Sequence, residues 1–87
     1  MTFEEQKQIV KNLVHFNDEE IEKYCKNIDN KYLGACLPTR EGFSLFVDEN
    51  GDVLFANSSI SYETAFLEFK KGRRSNKENF KNFKRNW

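Results

Sequence analysis

Two cysteines and one histidine are the residues of this chain whose types suit nucleophilic catalysis. Cys25 and Cys36 lie eleven residues apart, and His15 is the only histidine. A cysteine hydrolase pairs a thiolate with an imidazole that acts as its base. One histidine permits one such pair, so a cysteine-dependent enzyme that uses Cys36 or Cys25 with His15 is a minor alternative interpretation.

The surroundings of both thiols favour packing over catalysis. Cys25 belongs to an apolar pattern with helical spacing, and Cys36 belongs to the apolar run YLGACL at residues 32–37. A free cysteine in such a segment behaves as a small hydrophobic residue, and burial disfavours its thiolate. We therefore expect two buried, unreactive thiols, a histidine that ends a helix, and a protein that is not an enzyme.

The stretch DENGD at residues 48–52 places oxygen-bearing side chains at alternate positions, as the start of a calcium loop does. An EF-hand also needs glycine at its sixth position and glutamate at its twelfth, where this chain has Val53 and Ser59. Asn-Gly between alternating apolar segments is typical of a hairpin turn. The four glycines are isolated, so no Gly-rich phosphate loop is present. We expect no metal and no cofactor.

The closing segment KKGRRSNKENFKNFKRNW, residues 70–87, carries the strongest indication of function. It holds eight of the fourteen Lys and Arg residues and a single acid, Glu78, in a chain without net charge. The remainder of the chain is correspondingly negative. The candidate binding residues are the cations and rings of this segment: Lys70, Lys71, Arg73, Arg74, Lys77, Phe80, Lys81, Phe83, Lys84, Arg85 and Trp87.

Two classes of function suit this segment. A protein partner would take a few buried aromatic anchors, with the cations at the rim of the interface. A nucleic acid would place its phosphates on the cations and stack its bases on the rings. Because the acidic remainder would repel DNA at low salt, we favour a non-catalytic adaptor or inhibitor that modulates a protein partner. A nucleic-acid-binding accessory protein is the alternative.

Two structural explanations of the same segment remain open. Phe80, Phe83 and Trp87 share one face of a possible last helix, which would dock on the core while the cations face water. The basic segment would otherwise lie against the acidic remainder of the chain. The sequence does not decide between a docked and a free segment, nor does it predict an oligomeric state.

Length and composition bound the elements that position these residues. The chain has 87 residues, of which 38% are hydrophobic and 15% aromatic, so it supports a single domain over 1–87 with one aromatic-rich core. It has neither a CxxC pair nor an apolar signal segment, and no run of about 20 apolar residues. We expect a soluble cytoplasmic protein without membrane contact.

The first third of the chain predicts two helices. Thr2 with Glu5, and Asn17 with Glu20, fit capping boxes. The first helix has an apolar face, and its polar residues, Gln6 among them, point elsewhere. The second is expected to end at Asp29, because apolar residues recur with helical spacing at Ile21, Tyr24, Cys25 and Ile28.

In the middle of the chain the spacing of the apolar residues changes from a helical period to the alternation of strands. Residues 43–47 and 53–56 alternate as the strands of a hairpin, and 32–37 supply a possible third strand. Both faces of this sheet carry apolar groups, so either helices cover both or one face binds a partner. A helix follows Ser61 and stops at Gly72. The fold class is α+β, with a small two- or three-stranded antiparallel sheet flanked by N-terminal and C-terminal helices.

Overall fold

The computed structural model describes residues 1–36, 43–56, 60–76 and 78. Within them are three helices, α1 (Phe3–Val14), α2 (Asp18–Tyr24) and α3 (Tyr62–Lys70), and four strands, β1 (Cys25–Ile28), β2 (Tyr32–Cys36), β3 (Ser44–Val47) and β4 (Val53–Ala56). The strands form one antiparallel sheet in the order β1-β2-β3-β4. This small α+β domain confirms the predicted class.

The predicted helix starts are confirmed by their capping bonds. The Thr2 hydroxyl accepts the Glu5 amide of α1 at 3.2 Å, and the Asn17 side chain accepts the Glu20 amide of α2 at 2.8 Å. In both boxes the glutamate side chain accepts the amide of the capping residue in return. α1 ends at His15, whose left-handed φ of 61° turns the chain toward α2. His15 is thus a helix-end residue, as predicted.

Within the described residues the sheet has four strands instead of the predicted two or three, because β1 is a strand where the sequence predicts a helix. Residues Cys25–Ile28 were expected to continue α2, but they pair with β2 from Cys25 opposite Ala35 to Ile28 opposite Tyr32. Asp29 and Asn30 both have left-handed φ values, 54° and 57°, and form a tight hairpin turn. These two residues therefore reverse a strand instead of ending a helix.

Helices cover both faces of the two central strands. Leu33, Leu45 and Val47 pack with α1 and α2 on one face. Phe46 packs with Ala65 and Phe69 of α3 on the other face. All of β3 is buried, so neither of its faces is available to a partner.

Gln6 is a second correction, because its side chain is 1% exposed instead of facing water. Its amide nitrogen donates to the carbonyl oxygens of Lys31 at 2.8 Å and Asp48 at 2.9 Å. Gln6 thereby ties α1 to the β1–β2 turn and to the end of β3. A helical pattern predicts that polar residues such as Gln6 face the surface. The buried Gln6 amide is explained by its hydrogen bonds to these two carbonyls, which come close to α1 only in the folded protein.

Candidate binding site

The predicted binding segment begins where α3 ends. Gly72 has a φ of 102° and donates its amide to the Phe69 carbonyl at 3.0 Å, so the predicted helix stop is confirmed. Seven of the predicted binding residues lie outside the described part of the chain, as does the predicted last helix: Lys77, Phe80, Lys81, Phe83, Lys84, Arg85 and Trp87.

Three of the described cations of this segment face solvent. Lys70, Lys71 and Arg73 are exposed. The Lys71 ammonium and an Arg73 guanidinium nitrogen each lie 3.8 Å from a Glu68 carboxylate oxygen. Pairs this long at an exposed position contribute little stability. These cations are therefore accessible to an anionic group on a partner.

Arg74 differs from its neighbours because its side chain is held on the body of the protein. Its Nε donates to Asp48 Oδ2 at 2.8 Å, and one terminal nitrogen donates to the Phe69 carbonyl at 2.6 Å. The guanidinium carbon also lies 4.1 Å from the centre of the Phe69 ring. Arg74 thus joins the start of the basic segment to the β3–β4 turn.

The β3–β4 turn is the hairpin that DENGD predicts. Asp48 Oδ1 accepts the amides of Asn50 at 2.8 Å and Asp52 at 2.9 Å, and Gly51 has a φ of 85°. Burial alone would raise the pKa of Asp48, but hydrogen bonds from Arg74 and from these two amides outweigh it and lower the pKa. Both carboxylate oxygens of Asp48 therefore accept hydrogen bonds, Oδ1 from the turn amides and Oδ2 from Arg74. The described residues contain no group of three or more acids, cysteines or histidines suited to a metal ion.

Ser75 extends the attachment along the sheet. Its amide donates to the Val53 carbonyl at 2.7 Å, and its hydroxyl accepts the Phe55 amide at 2.9 Å. β4 is an edge strand, so these bonds occupy backbone groups that would otherwise face water. The start of the basic segment is therefore docked on the body up to Ser75.

The two thiols have different environments. Cys25 is buried, and desolvation raises its pKa to about 11, which suits packing and not nucleophilic attack. Cys36 is exposed, so the prediction that both thiols are buried is wrong for this residue. Cys36 ends β2 on the face that α3 covers, but α3 does not cover this corner of the sheet. An apolar run predicts a strand without showing how far the neighbouring helix reaches.

Similarity to known proteins gives no indication of function for this chain. Comparisons with models of known protein families, with curated proteins and with solved structures gave no match. None of the described helices is long and apolar enough to cross a membrane. The features that bear on function are the small α+β domain and a basic segment that starts from a fixed place beside β4.

Proposed function

We propose that this protein is a small non-catalytic module that binds a protein partner through its basic, aromatic C-terminal segment and modulates that partner as an adaptor or inhibitor. The observation that supports this proposal most is the anchorage by Arg74 and Ser75. It fixes the described start of the segment against the body, while Lys70, Lys71 and Arg73 remain exposed beside it. A segment that starts from a fixed point loses less conformational entropy on binding.

The charge distribution favours a protein over a nucleic acid as the partner. Thirteen of the fourteen acidic residues lie before residue 70, with only six of the fourteen cations. Exposed acids include Asp18, Glu19 and Glu22 of α2. A polyanion that approached the segment would meet this negative body, whereas a protein surface can carry charges of both signs.

The segment's aromatic residues are the expected anchors. In a protein interface a few buried rings hold most of the affinity, and rim cations mainly change the association rate. We expect Trp87→Ala to weaken binding of the purified partner by at least about 2 kcal/mol. The matched change Lys84→Gln removes a cation three residues away and should change mostly the salt dependence of the association rate.

A nucleic-acid partner predicts a different result in a titration monitored by Trp87 fluorescence. If about four cations neutralised phosphates of a duplex, the logarithm of affinity would fall with the logarithm of salt concentration at a slope of roughly −3.6. We expect mixed-sequence DNA and RNA to give no saturable change in emission at moderate salt, and no retained complex in an independent assay. Saturable binding with that slope would replace our proposal with the nucleic-acid alternative.

A further inference from the structure

A cleft of about 480 Å³ opens at the corner of the sheet that α3 leaves uncovered. Its lining residues come from both N-terminal strands and from the ends of two helices: Lys23, Tyr24, Lys26, Gly34, Cys36 and Tyr62. Lys26 is paired with Gly34, and both lie on the α3 face of the sheet together with Cys36. No residue of the basic C-terminal segment lines this cleft among the described residues, so it is separate from the binding segment.

The polar groups of the cleft are donors without matching acceptors. Lys23 and Lys26 are exposed, and neither forms an ion pair with another described residue. The Lys23 ammonium lies 5.4 Å from the centre of the Tyr24 ring. The Tyr62 hydroxyl makes no hydrogen bond within the described part of the chain. As far as the described residues go, the two ammonium groups and the Tyr62 hydroxyl are therefore available to an anion.

Gly34 is the residue that lets Tyr62 reach this position. A Cβ atom at Gly34 would lie 2.6 Å from the Tyr62 hydroxyl oxygen and 2.7 Å from Cδ1 of Ile28. The Tyr62 ring also packs against Phe46, with ring centres 5.1 Å apart. Packing against Phe46 and the close approach to the backbone of Gly34 restrict the ring, so the hydroxyl is positioned before any ligand arrives.

The Tyr62 hydroxyl is protonated at neutral pH. Burial raises its pKa, and the charge interaction with Cys36 acts in the same direction. A protonated phenol donates a hydrogen bond to an anionic oxygen. The Tyr62 hydroxyl can therefore donate a hydrogen bond to an anion, as the two ammonium groups can.

We propose that this cleft binds a small organic anion, whose carboxylate or phosphate oxygens contact Lys23, Lys26 and the Tyr62 hydroxyl. Charge-assisted hydrogen bonds from such donors are stronger than neutral ones. Small-molecule sites are clefts of about 300–1,000 Å³ with mainly apolar walls and a few convergent polar groups. The rings of Tyr24 and Tyr62 supply apolar wall, which favours an aromatic or aliphatic body on the anion.

The test is an amide NMR titration of the full chain with phenyl phosphate, benzoate and inorganic phosphate as probes. We expect at least one of the two organic anions to give saturable shifts centred on residues 23–26, 34–36 and 62. The organic anion that binds with the higher affinity shows whether the cleft prefers a phosphate or a carboxylate. Inorganic phosphate should bind more weakly, since it has no group to place against the rings.

Matched variants separate this site from general attraction to a lysine. Affinity for the tighter-binding probe should fall in each of three variants, Lys23→Gln, Lys26→Gln and Tyr62→Phe. The loss should be about fivefold for each lysine, which is the upper range for an exposed charge pair. Lys31→Gln removes the same charge at the opposite end of the β1–β2 hairpin and should leave affinity unchanged. Alkylation of Cys36 by neutral iodoacetamide should slow when the cleft is filled.

Two results would overturn the proposal. One is the absence of saturable shifts with both organic anions. The other is a loss of affinity in Lys31→Gln as large as in Lys26→Gln, which would indicate unspecific charge attraction. Melting temperatures of the variants control for folding, and neither exposed lysine contributes to a core cluster. Because the C-terminal segment does not enter this test, its outcome is independent of the proposed protein partner.

Discussion

Arg73 and Arg74 are adjacent cations with different roles, and their sequence gives no reason for the difference. The Arg73 side chain is 62% exposed, whereas Arg74 is 27% exposed and pairs with Asp48, which is 9% exposed. Asp48 precedes Arg74 by 26 residues, so this pair depends on how α3 returns to the hairpin. Composition identified the basic segment, but it could not tell an anchoring arginine from an accessible one.

This difference predicts unequal effects of the same substitution. Arg74→Gln should lower the free energy of unfolding by about 2 kcal/mol, because it removes charge-assisted hydrogen bonds to Asp48 and to the Phe69 carbonyl. Arg73→Gln should change it by less than about 0.5 kcal/mol, as expected of an exposed side chain. Urea unfolding of the two variants makes the comparison. Equal losses of stability would contradict the anchoring role of Arg74.

The lowered pKa of Asp48 predicts a loss of stability in acid. The folded state binds a proton at Asp48 less tightly than the unfolded chain does, so protonation favours unfolding. The stability that Asp48 contributes should be complete above the unfolded pKa of about 4 and should disappear as the pH falls through the lower folded pKa. Unfolding of the wild type and of Asp48→Asn should therefore differ most near neutral pH and converge in acid. A difference that does not change with pH would refute this assignment.

At the scale of elements, local capping and turn residues were predictable, and the extent of α2 was not. The capping boxes of α1 and α2, the DENGD hairpin and the Gly72 stop follow from bonds within a few residues. β1 depends on pairing with β2, and its apolar residues fit a helical period equally well. Tertiary pairing thus decided the structure of residues 25–28, as it does where local patterns are ambiguous.

The two thiols differ in how well the helices cover the ends of their strands. Cys25 begins β1 beneath α1 and α2, whereas Cys36 ends β2 at the uncovered corner. In the folded protein, iodoacetamide should label Cys36 and leave Cys25 almost unmodified, and both should react after denaturation. Mass spectrometry of the digested protein assigns the label. Fast modification of Cys25 in the folded state would show that β1 does not pack as described.

At the scale of the whole molecule, the chain separates its charges between a negative body and a positive C-terminal segment. This separation could be predicted from the sequence, because it needs only the positions of Lys, Arg, Asp and Glu. The anchorage of the segment by Arg74 and Ser75 could not be predicted, since Asp48 and β4 meet it only after folding. The cleft beside Tyr62 was equally hidden, as its lining residues come from four different elements, α2, β1, β2 and α3.

The most direct test of the proposed function is capture of a partner from a nuclease-treated host lysate by the full chain and by a chain truncated after Asn76. This truncation removes residues 77–87 and keeps the Arg74 and Ser75 contacts, and the melting temperatures of both chains are measured as the control for folding. We predict that the full chain retains a specific protein, that the purified pair binds directly, and that the truncated chain binds neither the lysate protein nor its purified form. Equal binding by the truncated chain, or capture that nuclease abolishes, would contradict the proposal.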